Sequence, residues 1–309
     1  ILFRIVVYMI IRSDFLLNEK PLLIYMPYHK TGSKWLWNNY FKKYFQCFSL
    51  EVLGLSKQEV INQISYDAND KRPIVCQASI TKGKMGCDTP EMIEKLYEVF
   101  PNCKILLVIR SQKSIISSHY TQYISNGGRL NFDGFFLEVI KNRWNYNKIV
   151  ETILKYFDDE KLHIGLFEDL KDDNYSYLNN IHEFIGDFYK SPTKSDLKNI
   201  ASQPILNARR YDLVIDTMFI LNKLRLRHKK NLILPEIRRP GGQDHLIVEI
   251  AAYTSKKIEK LLNFKFKNKE YVDEKLLNKI FHDENTKLGK YLNRDLKKLG
   301  YPNLITKYK

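Results

Sequence analysis

A short polar segment near the start of the chain combines the residue types that bind phosphate. It runs from His29 to Lys34, with the sequence HKTGSK, and follows the apolar run Leu22–Met26. The apolar run has the length of a strand, and the residues from Ser33 onward have helical spacing. A turn from a strand into a helix points backbone N–H groups and the positive helix end at one place, where anions bind. The segment therefore predicts a phosphate-binding loop.

The side chains of this loop suit the same chemistry. Gly32 allows close approach of the backbone to a ligand, Lys30 adds a mobile charge, and the hydroxyls of Thr31 and Ser33 can donate. The segment does not match the ATPase loop GxxxxGK[ST], because it has one glycine and Lys30 precedes it. An ordinary strand–turn–helix of an α/β protein is the alternative interpretation.

A second strand-like run, Lys104–Ile109, is followed by Arg110. Ser111 can cap the next helix, and Ser118 follows Arg110 by two helical turns. An arginine at a strand end offers a planar fork to a phosphate. Arg110 and Ser118 therefore predict a second phosphate site, and a surface ion pair is the alternative for Arg110 alone.

The order Lys-Thr-Gly-Ser-x-Trp-Leu resembles the 5′-phosphosulfate loop of sulfotransferases that use 3′-phosphoadenylyl sulfate (PAPS). His29 stands at the usual proline and Lys34 at a usual threonine. The Arg110/Ser118 spacing resembles the 3′-phosphate site of the same family. Residues 162–170, LHIGLFEDL, are similar to its late Y-E-D-L signature, with Phe167 in place of tyrosine, and residues 284–303 resemble the tail of bacterial members.

The resemblance implies a PAPS-dependent sulfotransferase that needs no metal. Lys30 would stabilise the leaving phosphate, and the phosphosulfate would be held by Thr31, Gly32, Ser33, Lys34 and Trp35. Many members of the family close a basic, glycine-containing loop over the nucleotide. The segment IRRPGGQDH at 237–245 has that chemistry, and a plain turn is its alternative. The candidate residues of this late loop are Arg238, Arg239, Gly241 and Gly242.

The general base and the acceptor are less specified. The stretch VCQASIT at 75–81 lacks the histidine of cytosolic sulfotransferases and looks more like bacterial and glycan enzymes. Glu51 and His119 are the candidate bases. The segment SSHYTQY at 117–123 resembles carbohydrate sulfotransferases, which predicts a carbohydrate or another hydroxylated natural product as the acceptor. A nucleotide kinase using ATP-Mg and a catalytically inactive, nucleotide-binding relative are the alternative functions.

The alternation of strand-like and helical segments predicts an α/β fold with a central parallel sheet covered on both faces, and the sulfotransferase resemblance implies a P-loop-like three-layer sandwich. The chain has 309 residues, 44% of them hydrophobic, and no linker-like segment. Strand-like runs at 22–26, 74–79, 104–109 and 162–167 alternate with helical segments. We predict a single domain over 1–309, with an N-terminal extension at 1–20 and a mainly helical part from about 207 to 309.

The chain carries a formal charge of +15. This favours an anionic cofactor or glycan, or reflects compositional bias alone. The densest basic run, at 225–230, is interpreted as a solvated helix face, and no nucleic-acid partner is expected. Oligomeric state is not indicated.

The spacing of the cysteines and the N-terminal segment give expectations about the cellular compartment of the protein. The four cysteines lack metal spacing, so free thiols are the default, with a Cys76–Cys87 bridge as the alternative in a secretory protein. Residues 1–11 are apolar but too short to span a bilayer. No membrane span is expected, and either a start at Met9 or the remnant of a trimmed anchor would explain this segment. The first fits a cytoplasmic bacterial enzyme, the second a Golgi enzyme.

Overall fold

The structure is a computed structural model. It describes residues 22–65, 67, 69–79, 89–139, 144–205, 212–223, 249–254, 257 and 273–303. The chain forms two compact units. Described residues of the first unit lie within 22–111, 144–205 and 283–301, and those of the second within 112–139, 212–282 and 302–303.

The first unit is built on a parallel sheet of five strands in the order β2-β3-β1-β4-β5. The strands are β1 (Leu22–Pro27), β2 (Gln46–Leu50), β3 (Ile74–Ala78), β4 (Lys104–Ile109) and β5 (Leu162–Leu166). Parallel sheets of this kind are covered by helices, and their strands are nearly continuous apolar runs. The sheet confirms the predicted α/β fold.

Helical segments alternate with the strands. After β1, α1 runs from Ser33–Leu36 through a π-helical stretch, Trp37–Phe41, to a last turn, Lys42–Tyr44. The other helices of this unit include α2 (Lys57–Ile61), α3 (Thr89–Val99), α6 (Tyr146–Ile153), α7 (Phe167–Asp172), α8 (Asn174–Ile185) and α9 (Lys194–Ala201).

The second unit is helical where it is described. Its elements are α4 (Gln112–Ser125), α5 (Phe132–Val139) and α10 (Asp212–Lys223), and α11 (Glu274–Tyr291) begins in it. Helix α10 packs on α4, and the buried Asn222 side chain donates to the carbonyl oxygens of Ile124 (2.7 Å) and Gly128 (3.0 Å). The helical character predicted for the C-terminal part is confirmed, and the single-domain assignment stays a prediction.

The core beside α1 is strongly aromatic. Tyr25 on β1 packs against Phe41, with ring centroids 5.0 Å apart, and Phe41 packs edge-on against Phe45 at 5.4 Å. Tyr25, Tyr40 and Phe41 are fully buried. Burial of each large apolar side chain contributes about 1.5–3 kcal/mol of transfer free energy. This packing fixes α1, and with it the loop that precedes α1.

The sheet order creates a crevice at the carboxyl ends of β1 and β4. Strand β1 has β3 on one side and β4 on the other, so the connections diverge there. Ligands of open α/β sheets bind in the crevice at such a switch point. The two predicted phosphate sites begin at these strand ends.

Candidate functional site

The loop from β1 to α1 has an unusual backbone. Lys30 has φ 65° and Gly32 has φ 73°, both in the left-handed region. Thr31 between them is 1% exposed, and its hydroxyl donates to the carbonyl oxygen of Tyr28 at 2.6 Å. The Thr31 hydroxyl, predicted from sequence to face a phosphate, therefore holds the turn together.

Gly32 is required for packing as well as for its dihedral angle. A Cβ atom at this position would lie 2.6 Å from Cδ2 of Leu170 and 3.2 Å from the Phe167 ring. Both residues belong to α7, which directly follows β5. The loop thus rests on α7 with its backbone in direct contact, and any larger residue would force the Leu170 side chain to shift.

The start of α1 is open toward its N-terminal side. No side chain caps it, and the first N–H groups of a helix have no acceptor within the helix. Ser33 is partly exposed and Lys34 is exposed. Trp35 is different, because its backbone N–H donates to Gly32 and its indole N–H donates to the Gln203 carbonyl oxygen at 3.0 Å. Trp35 therefore anchors α1, while Ser33 and Lys34 are accessible to a ligand.

Arg110 connects the two predicted phosphate sites. It follows β4, and its Nη1 donates to the carbonyl oxygen of Lys30 at 2.9 Å. Its guanidinium carbon lies 4.6 Å from the centroid of the Phe167 ring, a stacked cation–π arrangement. The Tyr146 hydroxyl donates to the Arg110 carbonyl oxygen at 2.6 Å. The guanidinium is thus held at the end of β4, against the Lys30 loop.

Glu168 is a member of this site that the sequence interpretation treated only as scaffold. Its carboxylate accepts from the Ser111 backbone N–H at 3.0 Å and from the Tyr301 hydroxyl at 3.1 Å. Burial raises the pKa of Glu168, and hydrogen bonds and the nearby Arg110 charge oppose that rise. The sequence did carry a signal for Glu168. The segment Phe-Glu-Asp directly follows β5, and the carboxyl ends of parallel strands lie at the same edge of the sheet.

The remaining candidates are placed as follows. Glu51 is exposed and directly follows β2, an edge strand of the sheet, and its backbone exchanges two hydrogen bonds with the Gln63 side chain at 2.8 and 2.7 Å. Ser118 and His119 are partly exposed on α4, in the second unit. The pairing of Ser118 with Arg110, and both base assignments, stay predictions. The late-loop candidates Arg238, Arg239, Gly241 and Gly242 lie outside the described residues.

The family model for the sulfotransferase domain matches residues 22–212. The chain belongs to the sulfotransferase family. The match includes both the Lys30 loop and Arg110, so these two predicted phosphate-binding motifs lie within the family's domain, while the segments at 237–245 and 284–303 lie outside it. No curated protein matches the chain in sequence. As a sulfotransferase, the protein is an enzyme of sulfuryl transfer.

Several solved sulfotransferases are similar in structure at low identity. A mouse sulfotransferase complexed with PAP is 16% identical, with a TM-score of 0.48, covering 88% of each chain. A sulfotransferase from Alicyclobacillus acidocaldarius is 15% identical, with a TM-score of 0.44, covering 66% of this chain and 92% of its own. A sulfotransferase domain from the curacin biosynthetic pathway is 14% identical, with a TM-score of 0.40, covering 80% and 99%.

Two further properties of the described residues concern metals and membranes. They contain no group of three or more histidine, cysteine or acidic side chains arranged to hold a metal ion. Within the same residues, none of the helices combines the length and hydrophobicity that a membrane crossing needs. Cys76 and Cys103 are buried free thiols and Cys47 is a partly buried one, while Cys87 lies outside the described residues.

Proposed function

We propose that this sulfotransferase uses PAPS as its donor and transfers the sulfuryl group to a hydroxyl of an acceptor. One observation carries the proposal: Arg110 Nη1 donates to the Lys30 carbonyl oxygen at 2.9 Å. This contact joins the loop predicted for the 5′-phosphosulfate to the arginine predicted for the 3′-phosphate, at the switch point of the sheet. A donor with two separate anionic groups fits such a double site better than a single phosphate does.

The donor set of the loop fits the anionic end of PAPS. The uncapped start of α1 presents backbone N–H groups and positive helix charge. Lys30 and Lys34 add two ammonium groups, and Gly32 keeps Cβ atoms out of the turn. PAPS would supply the sulfuryl group, carried on its 5′-phosphate. These residues provide positive charge and hydrogen bonds, so the proposal requires no metal ion.

Each residue has a role in this proposal. Lys30 donates to the bridging oxygen as negative charge develops on the departing phosphate, an effect that preorganised donors provide in phosphoryl transfer. Ser33, Lys34 and the backbone from Thr31 to Trp35 orient the phosphosulfate. Arg110 and Ser118 hold the 3′-phosphate, and the segment at 237–245 closes over the nucleotide.

The acceptor in this proposal is a carbohydrate or another hydroxylated natural product. The residues of 117–123 and the absence of histidine from 75–81 support it. A hydroxyl acceptor needs a general base, for which Glu51 and His119 are the candidates. Glu51→Gln and His119→Asn, assayed separately, distinguish them: the variant of the true base should lower kcat by about 10²–10⁴-fold.

Nucleotide preference tests the donor assignment. Thermal shift should show stabilisation by 3′,5′-ADP well above that by ATP-Mg or GTP-Mg at equal concentration. Arg110→Lys should reduce this stabilisation, because lysine cannot both stack on Phe167 and bond the Lys30 carbonyl. A preference for ATP-Mg would mean a nucleotide kinase and would overturn the proposal.

A lysine variant tests the transfer step. Lys30→Ala should reduce transfer of labelled sulfate by about 10²–10³-fold. Lys190→Ala is the matched control, because Lys190 has the same left-handed backbone, with φ 59° against 65°. Equal activity of the two variants would exclude Lys30 from the reaction.

If the wild type binds 3′,5′-ADP but transfers sulfate to no glycan, phenol, lipid or peptide, the inactive nucleotide-binding relative becomes the better interpretation.

A further inference from the structure

An open cleft of about 390 Å³ lies on the first unit, along the later part of α1. Its walls come from α1 and from the end of α9, and Ile200 lies at its apolar part. The polar side chains lining it are four amides and two ammonium groups: Asn38, Asn39, Asn199, Gln203, Lys42 and Lys43. No acidic residue is among the described residues that line it.

The backbone of the cleft is anchored, while its amide side chains are not hydrogen-bonded to described residues. Arg72 Nη1 donates to the carbonyl oxygens of Lys42 (3.3 Å) and Lys43 (3.4 Å) at the end of α1. The Trp35 indole donates to the Gln203 carbonyl oxygen. By contrast, the four amide side chains form no hydrogen bond with another described residue. The backbone around the cleft is therefore held in place, and the amide groups of its side chains can hydrogen-bond to a ligand.

The two lysines have little to neutralise them. Lys43 Nζ lies 5.3 Å from the Tyr44 ring centroid. The pKa of Asp196, beyond the cleft, is lowered first by its hydrogen bonds with Thr193 and only lastly by Lys43. Its carboxylate accepts the Thr193 backbone N–H and hydroxyl at 3.0 and 2.7 Å. The ammonium groups of Lys42 and Lys43 thus remain available to an external anion.

This combination of groups selects a class of ligand. Amide side chains both donate and accept, which matches the hydroxyls of a sugar. Ammonium groups match carboxylate or sulfate. Single-stranded nucleic acids are held by stacking on aromatic side chains, and no aromatic residue is among the described residues lining the cleft. We propose that the cleft binds an acidic polysaccharide, at a site separate from the phosphate loop.

The cleft lies on the same helix as the phosphate loop but away from it. Lys34 and Lys42 are eight residues apart on α1, which corresponds to at most about 12 Å, because the π-helical stretch between them rises less per residue than an α-helix. The proposed site does not depend on the acceptor being a glycan. Polysaccharide binding at the cleft should persist without nucleotide and in the Lys30→Ala variant. A failure of this binding would therefore be distinguishable from a failure of the proposed sulfuryl transfer.

The test uses the full chain and a fluorescent heparin oligosaccharide, without nucleotide, at about 0.15 M salt. Lys42→Glu/Lys43→Glu should weaken binding by about tenfold or more. The matched control is Lys57→Glu/Lys155→Glu, which makes the same charge change at two exposed lysines of the same unit and should change binding less than about twofold. Equal effects of the two double variants, or no binding by the wild type, would overturn the site.

A second variant tests the amides independently of charge. Asn38→Ala/Asn39→Ala should weaken heparin binding by about fivefold and leave binding of inorganic polyphosphate unchanged. Circular dichroism and the thermal shift with 3′,5′-ADP should match the wild type, which shows that the fold is intact. Equal loss for both polyanions, equally tight binding of neutral dextran, or tighter binding of a single-stranded oligonucleotide would refute an acidic-polysaccharide site.

Discussion

Two residues of the phosphate loop adopt the left-handed backbone at different cost. At Gly32 the conformation carries little penalty, because glycine lacks the Cβ that makes it unfavourable. At Lys30, with φ 65°, it costs about 1 kcal/mol. The Arg110 side chain and the Thr31 hydroxyl bond the carbonyls of Lys30 and Tyr28 in this turn. These two hydrogen bonds hold the left-handed conformation of Lys30 in place.

Alanine substitution at glycine separates packing from backbone strain. Gly32→Ala should lower the free energy of unfolding by about 2–4 kcal/mol, because strain adds to overpacking against Leu170 and Phe167. Gly54→Ala is the control, since Gly54 has φ +75° and a Cβ added there would have nothing within 4 Å. The Gly54→Ala variant should lose only about 1–2 kcal/mol of the free energy of unfolding. Urea denaturation of both measures the difference, and equal losses would show that α7 does not constrain the loop.

The buried Glu168 predicts a pH dependence of stability. Burial raises its pKa above the ordinary 4.5, so the folded state holds the proton more tightly than the unfolded state. The stability from this group is present below 4.5 and is lost as pH rises through the raised pKa. The stability of wild type relative to Glu168→Gln should therefore fall as the pH rises above 4.5. Urea denaturation across this range tests it, with the exposed Glu160→Gln as control, and parallel profiles would contradict it.

At the level of single residues, the sequence predicted where the phosphate loop and Arg110 lie along the chain. It did not predict the side chains from distant parts of the chain that pack around them. The Lys30 loop is a local pattern, and Arg110 ends a recognisable apolar run. Glu168 contacts Ser111, and Arg294 makes a two-point ion pair with Asp169 at 2.8 and 3.2 Å. These partners are 57 and 125 residues apart. Such contacts follow from strand order, which no local spacing encodes.

Among the elements, strand β2 shows where periodicity loses its signal. Its sequence, QCFSL, has an exposed serine and two partly buried residues, Cys47 and Phe48, between buried ends, because it lies at an edge of the sheet. The four longer apolar runs predicted from sequence are confirmed within a residue or two. Helix α1 was also predicted to begin near Ser33, but its π-helical stretch at Trp37–Phe41 was not, because hydrophobic spacing does not distinguish one π-helical turn from an α-helical one.

In the second unit, Asn222 links α10 to the end of α4. Its buried amide donates to the carbonyls of Ile124 and Gly128, and an alanine would remove both hydrogen bonds from the interior. Asn222→Ala should therefore lower the free energy of unfolding by about 2–3 kcal/mol. Asn126→Ala, at an exposed position just after α4, should change it by less than about 0.5 kcal/mol. Thermal and urea denaturation measure both, and a neutral Asn222→Ala would mean that water replaces these hydrogen bonds.

For the whole molecule, thiol reactivity reports on global unfolding. Burial raises the pKa of the Cys47 thiol to about 12, and it also raises the pKa of Cys76 and Cys103. Since the thiolate is the reactive form, maleimide should label these three thiols slowly in the native protein, Cys47 first and Cys76 and Cys103 only after unfolding. Residue-resolved mass spectrometry with and without urea tests this. Rapid labelling of Cys76 in the native protein would show that the sheet opens locally.

The hydrogen bonds from Thr31 to Tyr28 and from Arg110 to Lys30 are made within the protein itself. A flexible glycine-containing loop would lose conformational entropy when it binds a nucleotide. Here the loop has already lost that entropy when the chain folds. Nucleotide capture becomes docking into a receptor whose shape is set in advance. Its rate should be governed by diffusion and by the attraction between a basic surface and a polyanion, and it should slow steeply as ionic strength rises.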